Sequence, residues 1–89
     1  TIIETALAYA NACYDSGEYE QAVSFLRAAL DALPEDIELW SKLFEIYKKE
    51  GMGQRYLIAA KQFKLHFKNH PMLEEIDKQC IIFKNHTSS

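Results

Sequence analysis

Residues 17–22 read Gly17-Glu18-Tyr19-Glu20-Gln21-Ala22 and separate two segments whose apolar residues follow a helical spacing. Gly17 suits the left-handed backbone conformation that commonly ends a helix, because glycine adopts it at little cost. We therefore predict that a first helix, residues 2–14, stops before Gly17 and that a second starts at about Glu18. The apolar stripe of the first helix recurs every three or four residues, at Ile2, Ala6, Tyr9, Ala10 and Cys13.

Outward from this turn, the helical spacing continues to about residue 84. The second helix is predicted to end at about Leu33, because Pro34 cannot continue a helix interior. Asp36 is a suitable N-cap for a third helix that runs to about Glu50. A fourth helix follows at 54–68 and a fifth at 72–84. The side chains predicted to be buried in these helices are Ala22, Val23, Leu26, Ala29, Leu30, Leu33, Trp40, Leu43, Phe44, Tyr47, Tyr56, Ala59, Ala60, Phe63, Phe67, Leu73, Ile76, Cys80 and Phe83.

The fourth helix carries apolar residues on two sides. Ile58 and Leu65 lie opposite the stripe that contains Phe63. Since a helix that is apolar on more than one side is typically buried on more than one side, we predict that it packs on two faces.

The helices form a repeat. Gly17 and Gly51 are spaced by 34 residues, as are Ala6 and Trp40. In the second half of each unit the spacing is 37 residues, as between Pro34 and Pro71. The sequence is therefore a twofold helix–turn–helix repeat with a three-residue insertion near residues 52–54.

Composition places the chain among small globular domains. It has 89 residues, of which 48% are hydrophobic and 26% charged, which is ordinary for a folded domain of this size. No apolar run approaches the roughly 20 residues that cross a bilayer, so we predict no direct membrane insertion by this fragment. Cys13 and Cys80 are predicted to be reduced, packed thiols, with a structural disulfide as the less favoured alternative.

Charge is divided unevenly along the chain. Residues 1–47 contain nine acidic and two basic side chains, whereas residues 48–89 contain four acidic and eight basic ones. Such asymmetry predicts complementary faces, either toward a partner or toward neighbouring modules.

The repeat resembles the tetratricopeptide repeat (TPR) family, whose unit has 34 residues. The most typical stretch is 17–22, and the second copy supplies Trp40, Leu43 and Tyr47, then Ala59, Phe63 and Pro71. The resemblance implies an all-α fold of five helices in a right-handed superhelical stack. It implies one domain, residues 1–85, with repeat one at 3–36, repeat two at 37–71, a capping helix at 72–84 and a frayed tail at 86–89.

A narrower resemblance concerns residues 39–47, 56–59 and 72–76. These segments are similar to the TPR region of FimV-type proteins, which are bacterial, membrane-anchored proteins of cell poles and pilus motility. This resemblance implies that the fragment is cytoplasmic, as part of a membrane-anchored protein.

The candidate site is a partner-binding groove. In a TPR superhelix the first helix of each pair lines the concave surface, and in this chain the residues opposite the core stripe of those helices are predicted to do so. They are Leu7, Asn11, Tyr14, Ser41, Lys42, Glu45 and Lys48.

Other chemistry is weakly indicated. The sequence has no phosphate-binding glycine loop and no zinc-protease or nucleophile motif, so we predict no enzyme activity, no cofactor and no small-molecule substrate. His66 and His70 have a helical spacing that could hold a metal ion together with Cys80 or His86. A helix contact for His66 and a helix-end position for His70 are favoured instead. No metal is therefore predicted.

The predicted function is a non-catalytic adaptor that holds a peptide or helix of a protein partner in the groove. One alternative is a structural spacer within a longer helical solenoid. The less favoured alternative is a nucleic-acid-binding module that uses the basic fourth helix, with Lys61, Lys64 and Lys68.

Overall fold

The computed structural model describes residues 1–87. Over this range the chain forms five α-helices and no strand, which confirms the all-α prediction. Their bounds are α1 Ile2–Asp15, α2 Tyr19–Ala32, α3 Ile37–Lys49, α4 Gly53–His66 and α5 Met72–Thr87. The chain divides into two compact units, Thr1–Ile46 and Tyr47–Ser89, and the division falls within α3.

The end of the chain differs from the prediction. The fifth helix was predicted to stop at residue 84, with a frayed tail at 86–89, whereas α5 continues through His86 to Thr87. The acidic first turn of α5, with Glu74 and Glu75, complements the dipole at the start of this helix. The remainder of the predicted tail, Ser88 and Ser89, lies outside the described residues.

Each of the two repeat glycines ends a helix in the same way. Gly17 has φ +82°, and its N–H donates to the carbonyl of Tyr14 at 3.0 Å while the N–H of Glu18 donates to the carbonyl of Cys13 at 2.9 Å. This pair of bonds is a Schellman cap, which satisfies carbonyls that the helix itself leaves without donors. Gly51, with φ +66°, closes α3 with the equivalent bonds at 3.3 and 2.8 Å. The 34-residue repeat is therefore visible in the backbone.

Side-chain caps start α1 and α3. Thr1 and Glu4 form a reciprocal capping box at the start of α1. Asp36 accepts a hydrogen bond from the backbone N–H of Leu39 at 3.0 Å through Oδ1, which confirms Asp36 as the N-cap of α3.

In the unit Thr1–Ile46, α1 and α2 pack as a helical hairpin joined by a three-residue connection. Three predicted core residues are wrong: Ile2, Tyr9 and Leu33 are 79%, 43% and 38% exposed. A hairpin covers only the inner face of each helix, and these side chains lie at its end or at its edge. Tyr9 still contacts the ring of Phe25, at a centroid distance of 4.5 Å. The buried apolar residues of α1 and α2 are Ala6, Ala10, Cys13, Ala22, Val23, Leu26 and Leu30.

Trp40 is buried in α3, with 3% of its surface exposed. Its indole Nε1–H donates to the carbonyl oxygen of Pro34 at 2.7 Å, and its ring stacks on Phe44 at a centroid distance of 5.9 Å. Leu39 and Ile46, which were not predicted as core, are also fully buried. The prediction that Trp40 is a packing residue is confirmed.

In the unit Tyr47–Ser89, α4 and α5 pack against each other. The ring of Tyr56 contacts that of Phe83 at a centroid distance of 5.3 Å, and Gly53 lies so close to Phe83 that an added Cβ would be 2.9 Å from its Cδ1. The prediction that α4 packs on two faces is wrong, because Ile58 and Leu65 are 55% and 77% exposed. Within this unit α5 packs against α4 but leaves more than half of the surface of each of these two side chains exposed. The buried residues of α4 and α5 are Tyr56, Ala59, Ala60, Phe63, Ile76, Gln79 and Cys80.

Both cysteines, Cys13 and Cys80, are free and buried, as predicted. Burial removes the small, polarisable thiol from water much as it would an apolar side chain. Four further residues that were predicted as core are only half-buried. They are Ala29, Phe67, Leu73 and Phe83.

Candidate partner-binding surfaces

The first row of candidate residues lies along α1. Leu7, Asn11 and Tyr14 are spaced by four and three residues, which places them on one face of the helix. Leu7 and Tyr14 are half-buried, and the Tyr14 ring contacts that of Tyr19 at a centroid distance of 5.1 Å. Asn11 is exposed, and no hydrogen bond of its side-chain amide occurs within residues 1–87. The row therefore offers a free amide, which can both donate and accept, between two partly covered side chains.

The second row lies along α3. Ser41 is exposed, whereas Lys42 and Glu45 are half-buried. The Lys42 Nζ lies 3.3 Å from Glu45 Oε2, and the two side chains are 20% and 42% exposed. A pair of this kind contributes up to about 1 kcal/mol to stability. It also holds one donor and one acceptor group side by side at the surface of α3.

Lys48, the seventh candidate, is placed by the structure in the unit Tyr47–Ser89. Its Nζ lies 3.8 Å from Glu75 Oε1, and both side chains are more than half exposed. Sequence reasoning did not find this partner, because no local pattern links α3 to α5. The other six candidates lie in the unit Thr1–Ile46.

Burial perturbs the pKa values of two packed side chains, Tyr56 and Cys80. Burial is the main cause that raises the pKa of Tyr56 to about 12. Burial also raises the pKa of the Cys80 thiol. A buried thiol with a raised pKa stays protonated near neutral pH and is a poor nucleophile, because the thiolate is the reactive form.

One of the two histidines lies where it was expected. His66 was predicted at a helix contact, but its side chain is exposed in the last turn of α4. His70, predicted at a helix end, lies just before α5, and its Nδ1 accepts a hydrogen bond from the backbone N–H of Met72 at 3.1 Å, which caps the start of α5. In the part of the chain that the structure describes, no three His, Cys, Asp or Glu side chains are grouped to hold a metal ion.

A concave surface lies between α4 and α5, with a volume of about 490 Å³. Sequence reasoning had noticed its two components, the lysines of α4 and the apolar residues opposite the core stripe, but did not combine them. We name this surface the α4–α5 groove. The residues that line it are Gln54, Leu57, Ile58, Ala60, Lys61, Lys64, Asp77, Cys80, Ile81 and Lys84.

Across residues 1–87, the helices are too short or too polar to cross a membrane.

Residues 3–46 match the family model of the tetratricopeptide repeat. The match spans α1, α2 and most of α3, just under half of the chain. Together with the two glycine caps and the all-α fold, it supports a TPR family for this protein. TPR repeats generally mediate protein–protein interaction and are typically non-catalytic adaptors. Comparison with curated proteins and with solved structures returned no match, so the narrower FimV-type assignment is not confirmed.

Proposed function

We propose that this protein is a non-catalytic adaptor that binds an extended or helical segment of a protein partner along the exposed faces of α1 and α3. The observation that carries the proposal is the TPR match over residues 3–46, because it covers the helices that hold six of the seven candidate residues. These rows supply one free amide, one hydroxyl and one adjacent pair of opposite charges, at Asn11, Ser41, Lys42 and Glu45.

The composition of the rows favours a polar partner segment. Asn11 can pair with a backbone amide of the ligand through one donor and one acceptor. Lys42 and Glu45 can each exchange their mutual contact for an opposite charge on the ligand. Exposed ion pairs are worth about 0–1 kcal/mol each and are screened by salt, so the isolated interaction should be weak and salt-sensitive. Higher affinity would come from further binding elements acting together.

The experiment starts with a peptide selected on this protein from a displayed random library. Its affinity is then measured for the wild type, for Asn11→Ala combined with Lys42→Gln, and for Lys78→Gln. The last variant removes one positive charge from an exposed lysine of α5 that, like Lys42, pairs with a glutamate of its own helix, and it is the matched control. Melting curves verify that each variant is folded.

The proposal expects the double variant to bind at least about tenfold more weakly while Lys78→Gln binds as the wild type does. If the double variant binds normally, or if Lys78→Gln weakens binding as much, the α1 and α3 faces are not the site. Glu45→Gln tests the second half of the charge pair and should weaken binding of a peptide that carries a lysine or arginine.

The resemblance to FimV-type proteins supports a finer version of this proposal. In that version the adaptor is bacterial and works in the cytoplasm as part of a membrane-anchored protein. The location is tested by fractionating cells that produce the full-length protein. Protease is then added to intact cells and to lysed cells, to find on which side of the membrane the segment lies. We expect that protease added outside intact cells does not digest Thr1–Ile46. Digestion of this segment in intact cells would contradict the location.

A further inference from the structure

The α4–α5 groove is independent of the surface proposed above, because its lining lies wholly in the unit Tyr47–Ser89. Its apolar part includes Ile58 and Ile81, which are 55% and 58% exposed. Ile58 belongs to α4 and Ile81 to α5, and the buried Ala60 and the half-buried Leu57 line the same groove. Two branched aliphatic side chains that remain in water on both sides of one concavity form a surface that gains free energy when it is covered.

Charges around this apolar strip are mostly positive. Lys61, Lys64 and Lys84 line the groove, and Asp77 is the acidic residue among its lining. Lys64 and Asp77 neutralise each other, since the Lys64 Nζ lies 2.7 Å from Asp77 Oδ1. Lys61 makes no ion pair or hydrogen bond within the described part of the chain. The groove therefore presents excess positive charge beside an aliphatic strip.

Positive charge beside aliphatic side chains indicates which kind of ligand fits this groove. A nucleic acid would satisfy the lysines, but its bases stack on aromatic side chains, and the strip between the lysines is made of Leu57, Ile58 and Ile81. A helix with apolar residues at positions i, i+3 or i+4, and i+7 would cover the strip, and acidic residues on its flanks would face the lysines. Such a ligand matches both features at once.

We propose that the α4–α5 groove docks an amphipathic helix of a protein partner, one whose apolar stripe is flanked by Asp or Glu. Ile58 and Ile81 bind the stripe. Lys61 binds a flanking carboxylate, and Lys64 can do so by sharing or releasing Asp77. The protein thus has a second binding surface, chemically distinct from the polar rows of α1 and α3.

A pair of synthetic peptides tests this proposal on the whole chain. Each has about 18 residues, five turns of helix, with the same leucine stripe. One carries glutamates on both flanks of the stripe and the other carries lysines at the same positions. Affinities are measured by fluorescence anisotropy at about 0.05 M and about 0.5 M salt, where screening differs strongly.

The glutamate peptide should bind at least about tenfold more tightly than the lysine peptide at low salt, and this ratio should shrink at high salt. Ile58→Asp and Ile81→Asp should each weaken binding of the glutamate peptide by about tenfold or more. Both positions are exposed, so the variants should fold, and circular dichroism checks this. The matched control is Ile2→Asp, since Ile2 is 79% exposed in the other unit, and it should bind as the wild type does.

Three results would overturn the proposal. The first is equal affinity for the two peptides, or binding that Ile58→Asp does not weaken. The second is competition between a single-stranded oligonucleotide and the glutamate peptide, with oligonucleotide binding that Ile58→Asp leaves unchanged. This result would identify the lysines as a nucleic-acid site. The third is reversible self-association, measured by sedimentation, that Ile58→Asp abolishes, which would identify a second copy of the chain as the occupant.

Discussion

Replacing Trp40 tests how the unit Thr1–Ile46 is held together. Trp40 is 3% exposed, so truncation to alanine removes a buried indole and leaves a cavity, which costs about 3–5 kcal/mol. A chain of this length has a total stability of about 4–13 kcal/mol. Trp40→Ala is therefore expected to remove a large part of the stability, and to leave the protein partly unfolded if its stability lies at the low end.

Trp40→Phe separates the hydrogen bond from the packing. Phenylalanine keeps most of the ring contact with Phe44 but loses the 2.7 Å bond from Nε1 to the carbonyl of Pro34. Pro34 is itself exposed, so water can replace the lost donor. The expected loss is then about 1–2 kcal/mol, the net value of one hydrogen bond and a small reduction of volume.

Urea unfolding followed by circular dichroism at the helix band measures both variants, because tryptophan fluorescence is lost with the substitution. Leu65→Ala is the control for truncation of an apolar side chain at the surface: Leu65 is 77% exposed, and its truncation should change the free energy of unfolding by less than about 0.5 kcal/mol. If Trp40→Ala falls within about 1 kcal/mol of the wild type, Trp40 does not organise this core.

Three further outcomes follow from local geometry. Gly17→Ala and Gly51→Ala should each lower the free energy of unfolding by about 1–2 kcal/mol, since φ is positive at both and alanine is strained there; asparagine should cost less. Gly53→Ala should also destabilise, through contact with Phe83, and Phe83→Ala should make the Gly53→Ala change nearly neutral in a double-mutant cycle. Since the pKa of Tyr56 is raised from 10.0 to about 12, the native state holds a proton that the unfolded state releases, so stability should fall by up to roughly 3 kcal/mol as pH rises from about 10 to 12. Tyr56→Phe should reduce that alkaline loss, as urea titrations at each pH would measure.

Helix boundaries could be predicted well from the sequence because their signals are local. Glycine at a cap, proline after a helix and aspartate at an N-cap act within a few residues, as Gly17, Pro34 and Asp36 do in the structure. The end of α5 was placed too early because no such residue follows Lys84, and only tertiary packing decides where that helix stops.

Burial was predicted less well, because periodicity reveals an apolar face but not how much of it a neighbouring helix covers. Ile2 and Tyr9 fit the spacing of the α1 stripe but lie where α2 leaves much of their surface exposed. Leu39 and Ile46 lie off the predicted stripe of α3 and are nevertheless buried. The number of sides on which a helix is covered is a property of the assembled fold.

The sequence predicts which candidate binding residues share a helix face, but not which residues of other helices they contact. The spacing of Leu7, Asn11 and Tyr14 places them in one row whatever the tertiary fold. The ion pair between Lys48 and Glu75 and the groove that joins Ile58 to Ile81 bring together residues from separate helices. Such juxtapositions require the structure.

The short connections within the helical hairpins have a consequence for how the chain acquires its fold. Three residues separate α1 from α2, and five separate α4 from α5, so each pair of helices meets after the closure of a very small loop. Little chain entropy is lost before native contacts form, and topologies dominated by such local contacts fold in microseconds to milliseconds. During synthesis, α1 and α2 can therefore associate as soon as both have left the ribosome, well before α5 has been translated.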